Sequence, residues 1–376
     1  AVYEDNAHRV WGGTYASGVF VYDPMMERFP KFDPGGNLDK VSQFMIDSRG
    51  RMWWSNTDVL MMKDERGLHE FVAGKSPGSI SSTNILKIFE DSRGRIWFGT
   101  WNGGLARYEE NTQSFIMYGV AGGRGRMRDI NIQTITEDPV TGSFILGTWR
   151  DLEVLSDLEL GTFKILMDST EEPNNRIQCM MIRGNNEWWI GSTAHLDVMT
   201  NGKRRQVFPS ANSGQSIGIF AMKEDAAGKL WLGTSKGLYL LDGETVVAHY
   251  DMRQGLPSEL VRNIAIDKDG ILWLGTSRGL VRFDAHTRKM VQFTNHDGLF
   301  TNDYRINTLF QSRSGIIYLT GAGINAFDPR FMERSAPAPP VYFTELHLMN
   351  RTASAGKDKQ IIPANLGETS QIRLDH

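Results

Sequence analysis

A phrase close to Trp-x-Gly-Thr recurs down this chain at near-constant spacing. It is clearest at Trp11-Gly12-Gly13-Thr14, Trp97-Phe98-Gly99-Thr100, Trp231-Leu232-Gly233-Thr234 and Trp273-Leu274-Gly275-Thr276. Weaker copies stand at Trp53-Trp54-Ser55-Asn56, Ile145-Leu146-Gly147-Thr148, Trp189-Ile190-Gly191-Ser192 and Tyr318-Leu319-Thr320-Gly321. The copies begin at 11, 53, 97, 145, 189, 231, 273 and 318, so successive steps stay between 42 and 48 residues. A fixed period of that size marks one supersecondary unit written repeatedly and stacked on itself.

The third unit shows what is repeated. Ile85 to Asp91, Ile96 to Thr100, Gly103 to Tyr108 and Phe115 to Tyr118 are short pieces rich in β-branched and aromatic residues, separated by Gly, Asp, Asn and Ser. They predict four strands. Between the first two, Asp-x-x-Gly supplies a tight hairpin, since Asp bonds its own backbone and Gly accepts positive φ. Four antiparallel strands cannot bury both faces alone. Sheets stacked around an axis bury them, so the expected fold is an all-β propeller of four-stranded blades. The Ile-x-x-Ile strand follows the longest connection of each unit and is expected to line the central channel. The interblade loops and the loops after Trp-x-Gly-Thr then share one face, with the Asp-x-x-Gly turns on the other. Eight units argue for eight blades, and a segment of a longer array argues for seven plus a neighbour's remnant.

The pattern stops after Asp328-Pro329. The propeller is expected over 1–334. Residues 335–376 are expected to hold a Pro-rich linker around Ala336-Pro337-Ala338-Pro339-Pro340 and the first strands, Val341 to Met349, of a truncated Ig-like sandwich. The opening Ala1-Val2-Tyr3-Glu4-Asp5 already belongs to the repeat, so the N-terminus reads as a cut.

A formal net charge of −3 and a pI near 6.3 give no global reason to expect nucleic acid or an anionic membrane as partner. No run approaches the length of a membrane span, so membrane attachment is expected only through segments outside this chain. The single cysteine, Cys179, sits in an apolar run, cannot form an internal disulfide and reads as a buried thiol.

The string Glu90-Asp91-x-x-Gly94-Arg95-Ile96-Trp97-Phe98-Gly99-Thr100, with its following Gly-Leu strand, resembles the two-component regulator propeller repeat. So do Lys268 to Leu280 and Glu224 to Leu238. His296-Asp297-Gly298-Leu299-Phe300-Thr301-Asn302-Asp303 and Gln254-Gly255-Leu256-Pro257-Ser258 are similar to that family's interblade phrase, departing at Phe300 and Gln254. Gly323 to Pro329 with Pro339 to Thr344 resembles the join to the sandwich. The resemblance implies the periplasmic sensor region of a hybrid two-component histidine kinase: two seven-bladed propellers and a sandwich, dimeric, binding a glycan-derived oligosaccharide and regulating polysaccharide-utilisation genes. Kinase and membrane helix are not in this sequence.

Catalytic residues are not expected. The acidic pairs Glu90-Asp91, Glu137-Asp138 and Glu224-Asp225 suggest acid–base chemistry in isolation, but their recurrence beside a turn points to a structural role. The Asp-x-x-Gly turns resemble the Asp-box of sialidases, and the Trp-bearing repeats resemble quinoprotein dehydrogenases without a cysteine pair to support that cofactor. No cofactor is expected, and the scattered histidines predict no metal. Ligand binding has a better claim on the loops after Thr100 and Thr148, where Trp101-Asn102 and Trp149-Arg150 replace the Ser-Lys and Ser-Arg of sister units. An exposed indole stacks on a sugar's apolar face and a neighbouring amide or guanidinium bonds its hydroxyls; alternatively both tryptophans pack between blades. Arg124, Arg126 and Arg128 are expected to add a basic patch on the same face, with His195, Tyr304 and Arg305 as further candidates. Two other functions remain open: a propeller glycoside hydrolase or lyase, and a structural propeller serving dimerisation.

Overall fold

The computed structural model describes residues 1–5, 9–14, 18–22, 29–168, 176–184, 186–209, 214–332, 346–348 and 351–353. Within Met25–Met332, which forms one compact unit, the repeat produces antiparallel sheets with strands in sequence order. Their first strands are Gln43–Ile46, Ile85–Glu90, Ile132–Glu137, Ile177–Arg183, Ile219–Glu224, Val261–Ile266 and Leu309–Gln311. Each packs against the next, and the seventh packs against the first. The ring is closed with seven blades, and the predicted Ile-x-x-Ile strands are its innermost.

Each residue of the recurring phrase has a separate task. The Trp97 indole donates to Asp91 Oδ2 at 2.8 Å, while Oδ1 of the same carboxylate accepts from the backbone N–H groups of Arg93 and Arg95 at 3.0 and 2.9 Å. Trp53 with Asp47, Trp231 with Asp225 and Trp273 with Asp267 repeat the bond. The glycine lies under the next blade: a Cβ on Gly99 would come within 2.8 Å of the Ile132 carbonyl, and one on Gly233 within 2.7 Å of that of Val261. Thr100 closes the following loop by donating from Oγ1 to the Gly104 carbonyl at 2.8 Å. Trp53, Trp97 and Trp273 are wholly buried, as expected for side chains between blades.

The acidic pairs divide their work. Asp91 holds its own turn, whereas Glu90 accepts from Ser48 N–H at 2.9 Å in the turn of the preceding blade. Glu137 does the same to Ser92, at 2.7 Å to its N–H and its hydroxyl. Glu224 receives Arg183. These carboxylates rivet neighbouring blades together.

The seventh blade has three strands of its own, Leu309–Gln311, Ile317–Thr320 and Ile324–Phe327. Its outer edge is completed from the other end of the unit. Phe32 N–H donates to the Ile324 carbonyl at 2.8 Å, Ala326 N–H donates to the Pro30 carbonyl at 3.1 Å, and Lys31 bridges Asn325. Phe29 is 1% exposed and meets Phe293 and Phe327 edge-on at 5.1 and 5.0 Å.

The first repeat stands outside this ring. Ala1–Pro24 groups with Glu333–His376 as a second unit, where the sequence places the propeller's start at residue 1. Its strands Val2–Glu4, Val10–Gly13 and Val19–Tyr22 form a sheet with the same chemistry, Trp11 donating to Asp5 Oδ2 at 2.8 Å. Val2, Tyr3, Val19 and Phe20 are exposed on it. The ring has no place for an eighth sheet, because its seventh blade is completed by the Phe29 to Phe32 segment. A hairpin, Leu346–Leu348 with Arg351–Ala353, falls in the C-terminal part. The Pro-rich linker and most of the expected sandwich lie outside the described residues.

Candidate functional site

In sister blades the loop after the threonine is tight, with Thr234 Oγ1 donating to the Gly237 carbonyl three residues on at 2.8 Å. In the second blade the bond reaches four residues, from Thr100 to Gly104, and the extra residue is accommodated by left-handed backbone at Asn102, φ 54°. Trp101 N–H donates to the Asn84 carbonyl at 2.9 Å, and Asn102 N–H donates to Asn131 Oδ1 at 2.9 Å. Both acceptors stand at the start of inner strands. In the third blade Thr148 closes on Asp151, leaving Arg150 exposed at the loop tip. The Trp101 and Trp149 rings meet edge to face, centroids 4.1 Å apart and planes at 87°. Both are half-buried. The Arg176 guanidinium lies 4.2 Å from the Trp149 centroid, its backbone tied to Thr193 by N–H to Oγ1 at 3.0 Å. Loops of the second, third and fourth blades thus build a partly exposed aromatic shelf with the Arg176 guanidinium over one indole and Arg150 exposed on the adjoining loop tip.

The other candidates do not join it. Residues 119–124 fold back along their own blade, so Arg124 donates to the Leu158 carbonyl and Glu159 carboxylate at 2.8 and 2.9 Å, at a turn on the opposite face. Arg128 lies 3.7 Å from buried Asp151, and its N–H donates to Glu153 Oε1 at 3.1 Å. Arg126 is exposed. His195 is 5% exposed and locked with Asp197 at 3.1 Å and Arg204 at 2.8 Å. Tyr304 is 1% exposed in the core shared by the last two blades, where burial pushes its phenol up. Arg305 is exposed, and its carbonyl accepts from Asn263 Nδ2 at 2.7 Å. Of the residues singled out, the structure brings together Trp101, Asn102, Trp149 and Arg150.

A family model described as the two-component regulator propeller matches residues 79–102 and 255–278. Both matches run from an interblade connection to the loop after a Trp-x-Gly-Thr, and the first ends on Asn102 itself. Two of the chain's repeats thus match the two-component regulator propeller repeat. A histidine kinase, P4, of Formosa agariphila is 24% identical over 327 residues, 81% of this chain and 23% of that protein. The extracellular domain assigned to hybrid two-component system BT3049 of B. thetaiotaomicron superposes with a TM-score of 0.73 at 19% identity, over 94% of this chain and 49% of that one. The chain therefore spans about a quarter of the curated relative and half of the solved domain. Virginiamycin B lyase of Staphylococcus aureus shares the fold with a TM-score of 0.59 at 11% identity, over 79% of this chain and 97% of its own.

Two residues near the candidate site escape sequence reasoning. Arg176 occupies the position before an inner strand where Asn84 and Asn131 stand in sister blades, a substitution that reads as an ordinary loop change. Asn307, with φ 63°, donates from Nδ2 to the Leu86 and Gln133 carbonyls at 3.3 and 3.4 Å. It enters from the connection before the seventh blade and reaches the second and third, so it crosses the channel mouth. Its acceptors are the residues where those inner strands bulge, between Ile85 and Lys87 and between Ile132 and Thr134; a bulge leaves a carbonyl unpaired in the ladder. Interblade grooves on the opposite face, of about 580 and 550 Å³, are lined in part by groups already engaged. In the larger, Arg51 pairs with Asp47 at 2.7 Å and covers the Trp53 and Tyr108 rings. No helix among the described residues is long and apolar enough to cross a membrane.

Proposed function

We propose that this chain is a ligand-sensing, extracytoplasmic propeller of a hybrid two-component sensor, and that it binds a glycan-derived oligosaccharide on the shelf formed by Trp101 and Trp149. The reading rests above all on the edge-to-face contact of those indoles, which holds the half-buried Trp101 at 4.1 Å from its partner on the loop face. An immobilised indole offers a flat apolar surface at small entropic cost, which suits the C–H face of a pyranose ring. Asn102 and Arg150 stand beside it to serve hydroxyl groups. In the full receptor, occupancy would bias a dimeric ectodomain between two arrangements and so control a kinase across the inner membrane from the periplasm. Such control requires different ligand affinity in the two arrangements. The recurring carboxylate pairs are spent on turns and rivets, and the shelf has no acid–base couple among the described residues, which favours binding over hydrolysis.

Calorimetric titration of the chain with defined oligosaccharides tests this reading. Saturable binding without turnover, weakened in Trp101→Ala, is the expected result. Equal affinity in a folded Trp101→Ala protein removes the shelf from the site, and turnover of the glycan replaces the sensor with an enzyme.

A further inference from the structure

Many arginines of this ring are already ion-paired. Arg51 is paired with Asp47 at 2.7 Å, Arg95 with Asp91 at 2.6 Å, Arg107 with Glu109 at 2.8 Å, Arg124 with Glu159 at 2.9 Å, Arg183 with Glu224 at 3.0 Å and Arg204 with Asp197 at 3.0 Å. The two guanidiniums at the shelf differ. Arg150 and Arg176 are exposed, and neither has an ion-pair partner within 4.0 Å among the described residues. Glu171 and Glu172, earlier in the same connection as Arg176, lie outside those residues.

The backbone of each arginine is nonetheless held in place, and so is the Arg176 guanidinium. Arg150 follows the Thr148 closure, its N–H donating to Thr148 Oγ1 at 3.2 Å. Arg176 is pinned by the two-way backbone contact with Thr193 and by Trp149 beneath it. A cation over an indole engages the face of the guanidinium and leaves the N–H donors in its plane for a planar or tetrahedral oxyanion. An exposed carboxylate alongside would offset that potential; Asp151, the acid closest in sequence to Arg150, is instead buried, with Arg128 Nε 3.7 Å from its carboxylate.

We propose that the ligand of the shelf is an anionic saccharide, one bearing carboxylate or sulfate groups, whose ring stacks on Trp101 while its anionic group is bound by Arg150 and Arg176. This rests on the saccharide reading above and sharpens it to a chemical class. Charge-assisted, bidentate bonds from guanidiniums supply orientation that an aromatic platform alone lacks. The interaction is open to solvent, so salt weakens it.

The test is calorimetry on the whole chain with three sets of oligomers of matched length: oligogalacturonates for carboxylate, sulfated galactan oligomers for sulfate and cello-oligosaccharides as neutral counterparts. At least one anionic set is expected to bind, to lose about tenfold in affinity between roughly 50 mM and 500 mM NaCl, and to lose about tenfold again in Arg150→Ala/Arg176→Ala. Arg176→Lys keeps the charge and gives up the fork, so it should recover only part of the loss. Exposed arginines are dispensable for folding, which an unchanged unfolding midpoint verifies. Neutral oligomers binding as tightly as anionic ones, or anionic binding that ignores both salt and the double substitution, overturns the anionic proposal and leaves the saccharide reading standing. No binding by any set overturns both.

Discussion

Trp97 Nε1 donates to Asp91 Oδ2 at 2.8 Å, whereas Trp189, at the same place two blades on, has a buried indole N–H with no acceptor among the described residues. Six residues before Trp189 the chain has Arg183 instead of aspartate, and its guanidinium lies 5.0 Å from the Trp189 ring centroid before reaching Glu224. One repeat position is thereby a bonded couple in one blade and a stacked cation in another. Trp97→Phe should cost about 1–3 kcal/mol, because it removes one of the two donors to a buried carboxylate oxygen and leaves that oxygen to Arg95 alone. Trp189→Phe removes an unsatisfied donor and should cost clearly less. Urea unfolding of the two variants side by side checks the ordering.

Asp91→Ala should be worse than either. It strips acceptors from the Trp97 indole and from the N–H groups of Arg93 and Arg95, and it unpairs Arg95. A loss of about 3–5 kcal/mol is expected, as for other buried pairs broken from one side. Asp138 of the third blade serves no indole; it accepts from Val140 N–H and the Thr141 hydroxyl. Asp138→Ala should therefore cost less, and unfolding midpoints separate the two.

Trp101 and Trp149 should behave as a unit. Each single alanine variant is expected to lose about 1–3 kcal/mol of saccharide affinity, by analogy with stacking on aromatic side chains elsewhere. The double variant should lose less than the sum, since Trp149→Ala also frees the Trp101 ring, with a coupling of about 0.5–1.5 kcal/mol. Strict additivity in a double-mutant cycle would mean that the edge-to-face contact does not position the platform.

Glu153 gives the molecule a pH signature. Burial pushes its carboxyl above the usual carboxylate range, opposed by the backbone N–H groups of Asp129 and Arg128, while the charges of Asp151 and Asp129 push it further up. A raised folded-state pKa contributes stability that is complete below the unfolded value, near about 4.3, and is lost as pH rises through the folded value. Glu153→Gln keeps an oxygen for both N–H donors and removes the titration. Its thermal midpoint should gain on the wild type as pH goes from acidic to neutral, a trend that a pH series by differential scanning fluorimetry would reveal or refute.

Residues 1–24 should be removable without unfolding the ring, since they belong to the other compact unit. Phe29→Ala, only five residues further on, should cost about 3–5 kcal/mol through the cavity it leaves between Phe293 and Phe327. A truncation at residue 25 that abolishes cooperative unfolding would contradict the assignment.

Strand order, hairpin turns and inner strands were all legible in the sequence, because period, turn residues and apolar alternation are local properties. The place of the first repeat was not. Asp5 and Trp11 make the same bond as Asp91 and Trp97, so the phrase reports that a hairpin forms and says nothing about which ring it enters. The meeting of Trp101 and Trp149 was legible where a loop departs from its sisters. Loop direction was not: Arg124 sits in a long connection whose length is silent about its folding back to Glu159. Tyr304 misled because an aromatic in a loop can turn inward as readily as outward, and here it completes the core. Asn307 gave no signal, since its acceptors exist only once two bulged strands lie across the channel from it.

The sharing of the seventh blade between Phe29 to Phe32 and Ile324 to Phe327 sets an order of events during synthesis. The N-terminal segment is made almost three hundred residues before its pairing partner. Until the last strands emerge, six sheets stand in an open arc with an apolar face bare at each end, and Phe29 has nothing to cover it. Closure is then a single late, non-local event, the slow and aggregation-exposed kind. A nascent ring of this design needs shelter until its final blade arrives, and a break anywhere before Phe327 strands the whole arc unfinished.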